Sequence, residues 1–341
     1  MARSQEDVII GMRGRHSSGG PAGTTVVLAV AGVGLLIAAG IVAILTLSGS
    51  GAQQPGHSAV AATEPGSSGG PLAATAANTA SPRAPRPSAS ASPGRRHDPL
   101  GAAAASYVSS RAGVVLAAVY DLRTGQTWHL GQGQPQDEAS VVKLDVLETL
   151  LAERGRSGSG LSASDRTLAE QMIEDSDNDA ATSLWYEVGG PSSIRSFNST
   201  VGLADTTPSS CVNCPGFPWP GWGLTTTTPG DQLTLLRALV EANSPLTSAE
   251  RSYALSLMEN VTPDQQWGVS GGVPAQATVA LKNGWLPLNS ADNDWQINSV
   301  GWISGSGRDY LMAVLTTGNP TEQYGIDTID QLAAMVWNEL A

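Results

Sequence analysis

The order of apolar patterns along residues 99–341 predicts an α/β fold of the α+β kind. An antiparallel sheet is expected from both ends of the domain, flanked by helices, with a mostly helical region inserted between them. Three observations predict it. Two β-rich runs around a turn open the domain, a block of helical periods follows, and three further β-rich runs with a closing helix end it.

The opening segment, GVVLAAVYDLRTGQTWHLG at residues 113–131, carries two β-rich runs around Arg-Thr-Gly-Gln, which is a hairpin signal. From Ser140 the period becomes helical: Val141, Leu144, Val146, Leu147, Leu150 and Leu151 fall largely on one face, and Gly155 is expected to end the run. Further helical stretches are expected near 164–175, 178–188, 191–199, 228–242 and 247–259. Between two of them, DTTPSSCVNCPGFPWPGWGL at 205–224 is too rich in Pro, Gly and Trp for regular structure. Strand patterns return in ATVALKN, WQINSVGWIS and DYLMAVLTT, and a helix from about Thr321 closes the chain.

Ahead of this domain the composition changes twice. Residues 25–47 are continuously apolar or small, long enough to span a bilayer, and no Asp, Glu, Lys or Arg lies between Arg15 and Glu64. With Arg3, Arg13 and Arg15 in front of it, this stretch reads as an uncleaved signal anchor. Residues 1–24 are then a cytoplasmic tail, and the domain at 99–341 faces outward from a single-pass cell-membrane protein. Residues 48–98 are Ala, Ser, Pro and Gly with scattered arginines, a composition that buries too little apolar surface to order itself and is expected to act as a disordered tether.

From position 98 onward there are 27 acidic residues against 11 lysines and arginines, a net charge of −16. Such a balance argues against nucleic acid as a partner. The two cysteines, Cys211 and Cys214, are spaced C-x-x-C in an exported segment, and the domain has only His129 firmly inside it as a further zinc ligand. A disulfide is therefore expected, with no metal and no cofactor.

Lysine is the rarest charged residue: of 18 lysines and arginines, only Lys143 and Lys282 are lysines. Arginine keeps its proton in a protein, whereas a buried lysine can lose it and act as a base. Lys143 lies three residues after Ser140, so both side chains share a helix face near its N-terminus, where developing negative charge is stabilised. A hydroxyl beside a desolvated amine is a candidate nucleophile, although a capping serine with a solvated lysine fits the same spacing. Ser176-Asp177-Asn178 lies between two helical stretches, and Lys282-Asn283-Gly284 ends an apolar strand where glycine permits close approach.

Together and in this order, Ser-x-x-Lys, Ser-Asp-Asn and Lys-x-Gly resemble the motif set of class A β-lactamases and penicillin-binding proteins. TTTTPGDQLTLLRAL at 225–239 resembles the Thr-Thr-Pro-x-Asp helix start of class A enzymes, and VGLADTTP the stretch entering their omega loop. The resemblance spans about residues 99–341. It implies a serine hydrolase in which Ser140 is acylated, Lys143 is its base and Ser176 passes a proton to the leaving nitrogen. Asn178, Lys282, Asn283 and Gly284 would serve the substrate, and the backbone N–H groups of Ser140 and Trp285 would form the oxyanion hole. The substrate would be a small β-lactam or a peptidoglycan-type peptide, and the protein a monomer.

Three departures qualify the resemblance. Asn283 replaces the hydroxyl residue of the family's Lys-Thr-Gly or Lys-Ser-Gly, and only 36 residues separate Ser140 from Ser176, fewer than usual. The family's omega-loop glutamate, which activates the deacylating water, has no counterpart: no acid lies between Asp205 and Asp231, and Val212 stands roughly in its place. Slow deacylation is the expected consequence. A D-Ala-D-Ala peptidase-like penicillin-binding protein and a non-catalytic cell-wall-binding module of the same fold are the alternatives. A Gly-x-Ser-x-Gly match at Ser270 lacks the strand and helix that such an elbow needs. Alkylation of the exported protein without reductant should leave Cys211 and Cys214 unmodified, with no stoichiometric zinc by elemental analysis.

Overall fold

The computed structural model describes residues 97–215, 217, 219–289 and 294–341. The anchor at 25–47 and all of the tether at 48–98 but its last two residues lie outside the described residues. No helix among the described residues is long and apolar enough to cross a membrane.

Both chain ends build one sheet. Strands β1 (Val114–Asp121) and β2 (Gln126–Leu130) form the expected hairpin, with Gly125 taking the left-handed φ of 71° that its turn requires. Strands β5 (Thr278–Asn289), β6 (Asp294–Gly305) and β7 (Arg308–Asn319) follow late in the chain. The order is β2-β1-β7-β6-β5 with every neighbour antiparallel, so β7 joins the two chain ends and β5 is an outer strand. A two-residue pairing of β3 (Gln136–Asp137) with β4 (Thr226–Thr227), too short for a periodic signal, was not anticipated.

The helical block covers one face of the sheet. Helix α2 (Val142–Ser157) is its axis, around which α3 (Ala163–Glu174), α4 (Asn178–Glu187), α5 (Pro191–Val201) and α7 (Ser248–Glu259) pack, while α6 (Pro229–Val240) lies against α5, α7 and the sheet. Their starts are chemically marked. Ser162 and Thr247 close capping boxes with Asp165 and Glu250, and Asp177 and Thr228 cap α4 and α6. On the other face, α1 (Ala102–Ser109) lies against α8 (Glu322–Glu339). Helix α1 has no capping side chain and no apolar period, and its alanines favour a helix by propensity alone.

Two expectations about α2 change. Ser140 lies in a short 3-10 turn, Ala139–Val141, and the α-helix starts only at Val142. The helix also passes through Gly155 and ends at Gly158, which takes φ 67° and donates its N–H to Gly155 O at 3.1 Å. At Gly155 the Glu250 carboxylate of α7 fills the space a side chain would need, so this glycine serves helix packing and does not break the helix.

Helix α2 is unusually polar inside. Lys143, Asp145 and Glu148 are fully buried, as is Glu138 just before it. Asp145 accepts from Asn198 Nδ2 at 2.9 Å, whereas neither carboxylate oxygen of Glu138 or Glu148 meets a partner among the described residues. Burial raises the pKa of Asp145 to about 7; burial and then Asp145 raise that of Glu148. Burial and then Asp145 and Asp231 do the same for Glu138. A carboxyl raised in the folded state adds stability below its ordinary pKa and loses it as pH climbs through the raised value. Glu148→Gln should therefore stabilise the domain by about 1–3 kcal/mol at pH 8 and by less at pH 5. Urea unfolding at the two pH values measures it.

Candidate active site

Ser140 sits where three separate elements converge. Its turn follows β3, which is held by β4 on one side, with Glu138 N donating to Thr225 O at 2.8 Å. On the other side, Asn298 of β6 donates Nδ2 to Asp137 O at 2.8 Å and to Glu138 O at 3.0 Å. Gln296 of β6 reaches Gln136 Oε1 at 3.1 Å. From below, β5 passes so close that a Cβ on Gly284 would lie 2.7 Å from both Glu138 O and Ser140 N. Only a glycine fits there. The residue before Ser140, Ala139, holds φ 51°, and Ser176 holds φ 56°. For residues with a Cβ these left-handed conformations cost roughly 1–3 kcal/mol each and gather at functional sites.

The two lysines meet at one hydroxyl. Lys143 Nζ donates to Ser176 O at 2.5 Å, Ser176 Oγ at 3.1 Å and Asn178 Oδ1 at 2.8 Å. Lys282 Nζ donates to Ser176 Oγ at 3.0 Å and Asn283 O at 2.9 Å. A hydroxyl has two acceptor lone pairs and one proton, so with both lone pairs engaged the Ser176 proton is directed elsewhere. Both amines are fully buried. Burial pushes Lys282 down to about 7. Burial and the neighbouring Lys282 push Lys143 well below the usual lysine range, with Asp177 opposing the shift. The face of Trp222 lies 5.1 Å from Lys143 Nζ and completes its enclosure.

Above this pair lies a cleft lined by Ser140, Ser176, Asn178, Trp285 and the loop between α5 and α6. The structure thus brings Ser140, Ser176, Asn178 and Trp285 onto one surface, with Lys143 and Lys282 beneath it and Gly284 under the Ser140 turn. Asn283 is not brought there: it is fully buried, and its Nδ2 donates to Gln265 O at 2.7 Å and Trp267 O at 3.1 Å. A strand alternates its faces, so Lys282 and Asn283 point to opposite sides. Among the described residues no hydrogen bond joins Ser140 Oγ to Lys143, whose amine turns toward the Ser176 loop.

Within the α5–α6 loop the described residues form a 3-10 turn, Trp222–Leu224, strand β4 and a bridge between Thr207 and Thr226, and Cys211 and Cys214 are disulfide-bonded. Val212 is 46% exposed, and among the described residues none that lines the cleft is charged.

A family model described as "Beta-lactamase enzyme family" matches residues 153–340. This chain belongs to that family. The match begins within α2, after Ser140 and Lys143. LppW of Mycobacterium tuberculosis and of Mycobacterium bovis, which carries a lipoprotein designation, is 27% identical over 203 residues. This chain spans 58% of its own length and 61% of theirs in that alignment. Among solved structures, a class A β-lactamase from Bacteroides cellulosilyticus is 17% identical with a TM-score of 0.60, over 69% of this chain and 94% of that one. The TLA-1 extended-spectrum β-lactamase is 19% identical with a TM-score of 0.61, over 69% and 95%. At such identities the likeness is one of fold, and the fold is that of the β-lactamases.

Several parts of this β-lactamase-family cleft gave no usable signal in the sequence. Asn298 and Gln296 resemble ordinary strand polar residues, and only sheet register places them against the Ser140 turn. Phe217, Trp219 and Trp222 are conspicuous as aromatics in a loop, which could have marked them as a surface. Gly284→Ala should lower stability by about 1–3 kcal/mol, because the obstructing atoms are backbone. Gly223→Ala, whose added Cβ meets its nearest atom at 3.5 Å, should stay within about 0.5 kcal/mol. Chemical denaturation of the two variants compares them.

Proposed function

We propose that the protein is a serine hydrolase that forms an acyl-enzyme on Ser140 and releases it slowly, with a β-lactam or related amide as substrate. The observation that carries this reading is the convergence of Lys143 and Lys282 on Ser176 Oγ beside Ser140. In the proposed sequence Ser140 Oγ attacks the carbonyl carbon, and its proton passes to the neutral amine of Lys143. Backbone N–H groups of Ser140 and Trp285 bind the oxyanion. The tetrahedral intermediate then collapses as the C–N bond breaks. Ser176 gives its proton to the leaving nitrogen and is reprotonated from Lys143, so the proton lost by Ser140 ends on the amine product. Asn178 holds the substrate amide, and Lys282 keeps Ser176 oriented.

Deacylation is the weak step. Water attack on the ester needs a base, and general-base help is worth typically 10²–10⁴-fold. The α5–α6 loop, which carries that base in class A enzymes, presents Phe217, Trp219 and Trp222 here, and among the described residues none that lines the cleft is acidic. Loss of such help raises the barrier by roughly 3–5 kcal/mol. A D-Ala-D-Ala peptidase-like activity is the second reading, favoured by this same slow release. In either case residues 25–47 would anchor the domain and 48–98 would hold it outside the membrane.

Stopped-flow reaction with a chromogenic cephalosporin should show a burst followed by slow turnover, and intact mass should show the trapped adduct. Rapid turnover without an adduct would overturn the slow-release reading, and no adduct with any reactive acyl donor would overturn the hydrolase itself. Because Lys143 acts as the neutral amine, acylation should fall as pH drops and the amine gains its proton. The midpoint should lie well below 10.5, the ordinary value for lysine. Lys143→Arg keeps the charge and loses the base, so its acylation should fall by at least about 10²-fold across the profile.

A further inference from the structure

The indole of Trp222 lines the cleft beside Ser140 with its one polar atom already committed. Nε1 donates to Thr182 Oγ1 of α4 at 3.2 Å, and the Thr182 hydroxyl in turn donates to Asn178 O at 2.8 Å. An indole N–H is a donor only, so the rest of the ring is a π-face and an apolar edge. That face lies 5.1 Å from Lys143 Nζ. Trp219 stacks on Trp222, with centroids 6.0 Å apart and planes at 16°. Trp222 is only 3% exposed and Trp219 is half-buried, so Trp219 is the outer plate of the pair.

The backbone fixes where the inner ring stands. Trp222 opens a 3-10 turn after which Thr225 N donates to Trp222 O at 3.1 Å, and Thr225 O accepts from Glu138 N at 2.8 Å. A Cβ on the next residue, Gly223, would lie 3.5 Å from Ala139 Cα. The Trp222 turn and the Ser140 turn are therefore packed side by side.

Release of an acyl group from Ser140 needs water. A bond forms between the water oxygen and the acyl carbon, the bond from that carbon to Ser140 Oγ breaks, and one water proton passes to a base and returns to Oγ. The amine of Lys143 could be that base. Its Nζ is enclosed by Ser176 O, Ser176 Oγ, Asn178 Oδ1 and the Trp222 face. A water held inside a protein needs two to four polar partners. The three oxygens already engage the amine, and the indole supplies none.

We propose that Trp222, backed by Trp219, keeps water off the Lys143 amine and the Ser140 ester, so that the acyl-enzyme persists although an amine stands beside it. Acylation needs no water, since the Ser140 proton passes between protein groups. The inference rests on the acyl-serine reading and gives slow release a cause separate from the missing carboxylate: a base is present and screened.

The full-length protein, acylated with the chromogenic cephalosporin and freed of excess drug, is followed by intact mass as the adduct is lost. Trp222→Ala and Trp222→Gln should each release the acyl group about tenfold or more faster than wild type. Trp222→Phe, which keeps an apolar ring, should stay within about threefold of wild type. A ring that served packing alone would lose stability on truncation without speeding release, so faster release is the readout that separates the two roles. Glutamine keeps much of the side-chain length and can still bond Thr182, so that variant decides should Trp222→Ala not fold. Adduct lost at the wild-type rate from a folded alanine or glutamine variant would overturn the proposal and leave the acyl-serine reading standing.

If no reactive β-lactam leaves an adduct on the wild-type protein, the hydrolase reading falls and cyanate decides the screen. A lysine amine adds to isocyanic acid, forming one N–C bond while its proton moves to the cyanate nitrogen, and the chain has only Lys143 and Lys282 to map. Lys143 should be carbamoylated faster, relative to Lys282, in Trp222→Gln than in wild type or Trp222→Phe. Equal labelling in the three proteins would overturn the screen as well.

Discussion

One hydroxyl oxygen, Ser176 Oγ, takes hydrogen bonds from both lysines of the chain, at 3.1 and 3.0 Å. Much of the design follows from making that possible. Two amines in one dry pocket repel each other, and burial disfavours their charged forms. They remain together because the Ser176 loop offers a carbonyl, a hydroxyl and the Asn178 amide, and because their pKa values fall. The positive φ of Ser176 is the conformational cost of aiming that loop inward. A lysine that can shed its proton is required here; arginine, with a planar charged fork, would have to be desolvated intact.

The Ser140 turn is held by backbone proximity and not by side-chain volume. Gly284 lets β5 touch the turn, and Asn298 of β6 caps the carbonyls of Asp137 and Glu138. Sheet and Ser140 turn are thereby one mechanical unit: β5 carries Lys282, Gly284 and Trp285, and β6 fixes the strand that leads into Ser140. The helical block contributes the opposite wall through α2 and the α3–α4 connection. The cleft is therefore the seam between the two halves of the fold, where neither half alone could assemble it.

The buried acids of the α2 region are the counterweight. Glu138 and Glu148 lie wholly inside, with raised pKa values and without partners among the described residues for either oxygen. Carried as neutral carboxylic acids they avoid most of the desolvation cost of a buried anion. In return the fold becomes sensitive to alkali in a helix that also holds Lys143.

The sequence alone determined the order of strands and helices and most helix starts, because caps and apolar periods are local signals: Ser162, Asp177, Thr228, Thr247 and Thr321 all stand where helices begin. It also made Ser140, Lys143, Ser176, Asn178 and Lys282 conspicuous, since two lysines among 18 basic residues invite a chemical explanation. Tertiary structure decided the rest. Ser140 precedes its helix in a separate turn, Asn283 faces the core because a strand alternates, and Lys143 addresses Ser176 instead of Ser140. The aromatic wall opposite Trp285 depends on the α5–α6 loop, where Gly221 N returns to Cys211 O. These are contacts across tens to hundreds of residues, and no local pattern encodes which distant side chain fills the other half of a cleft.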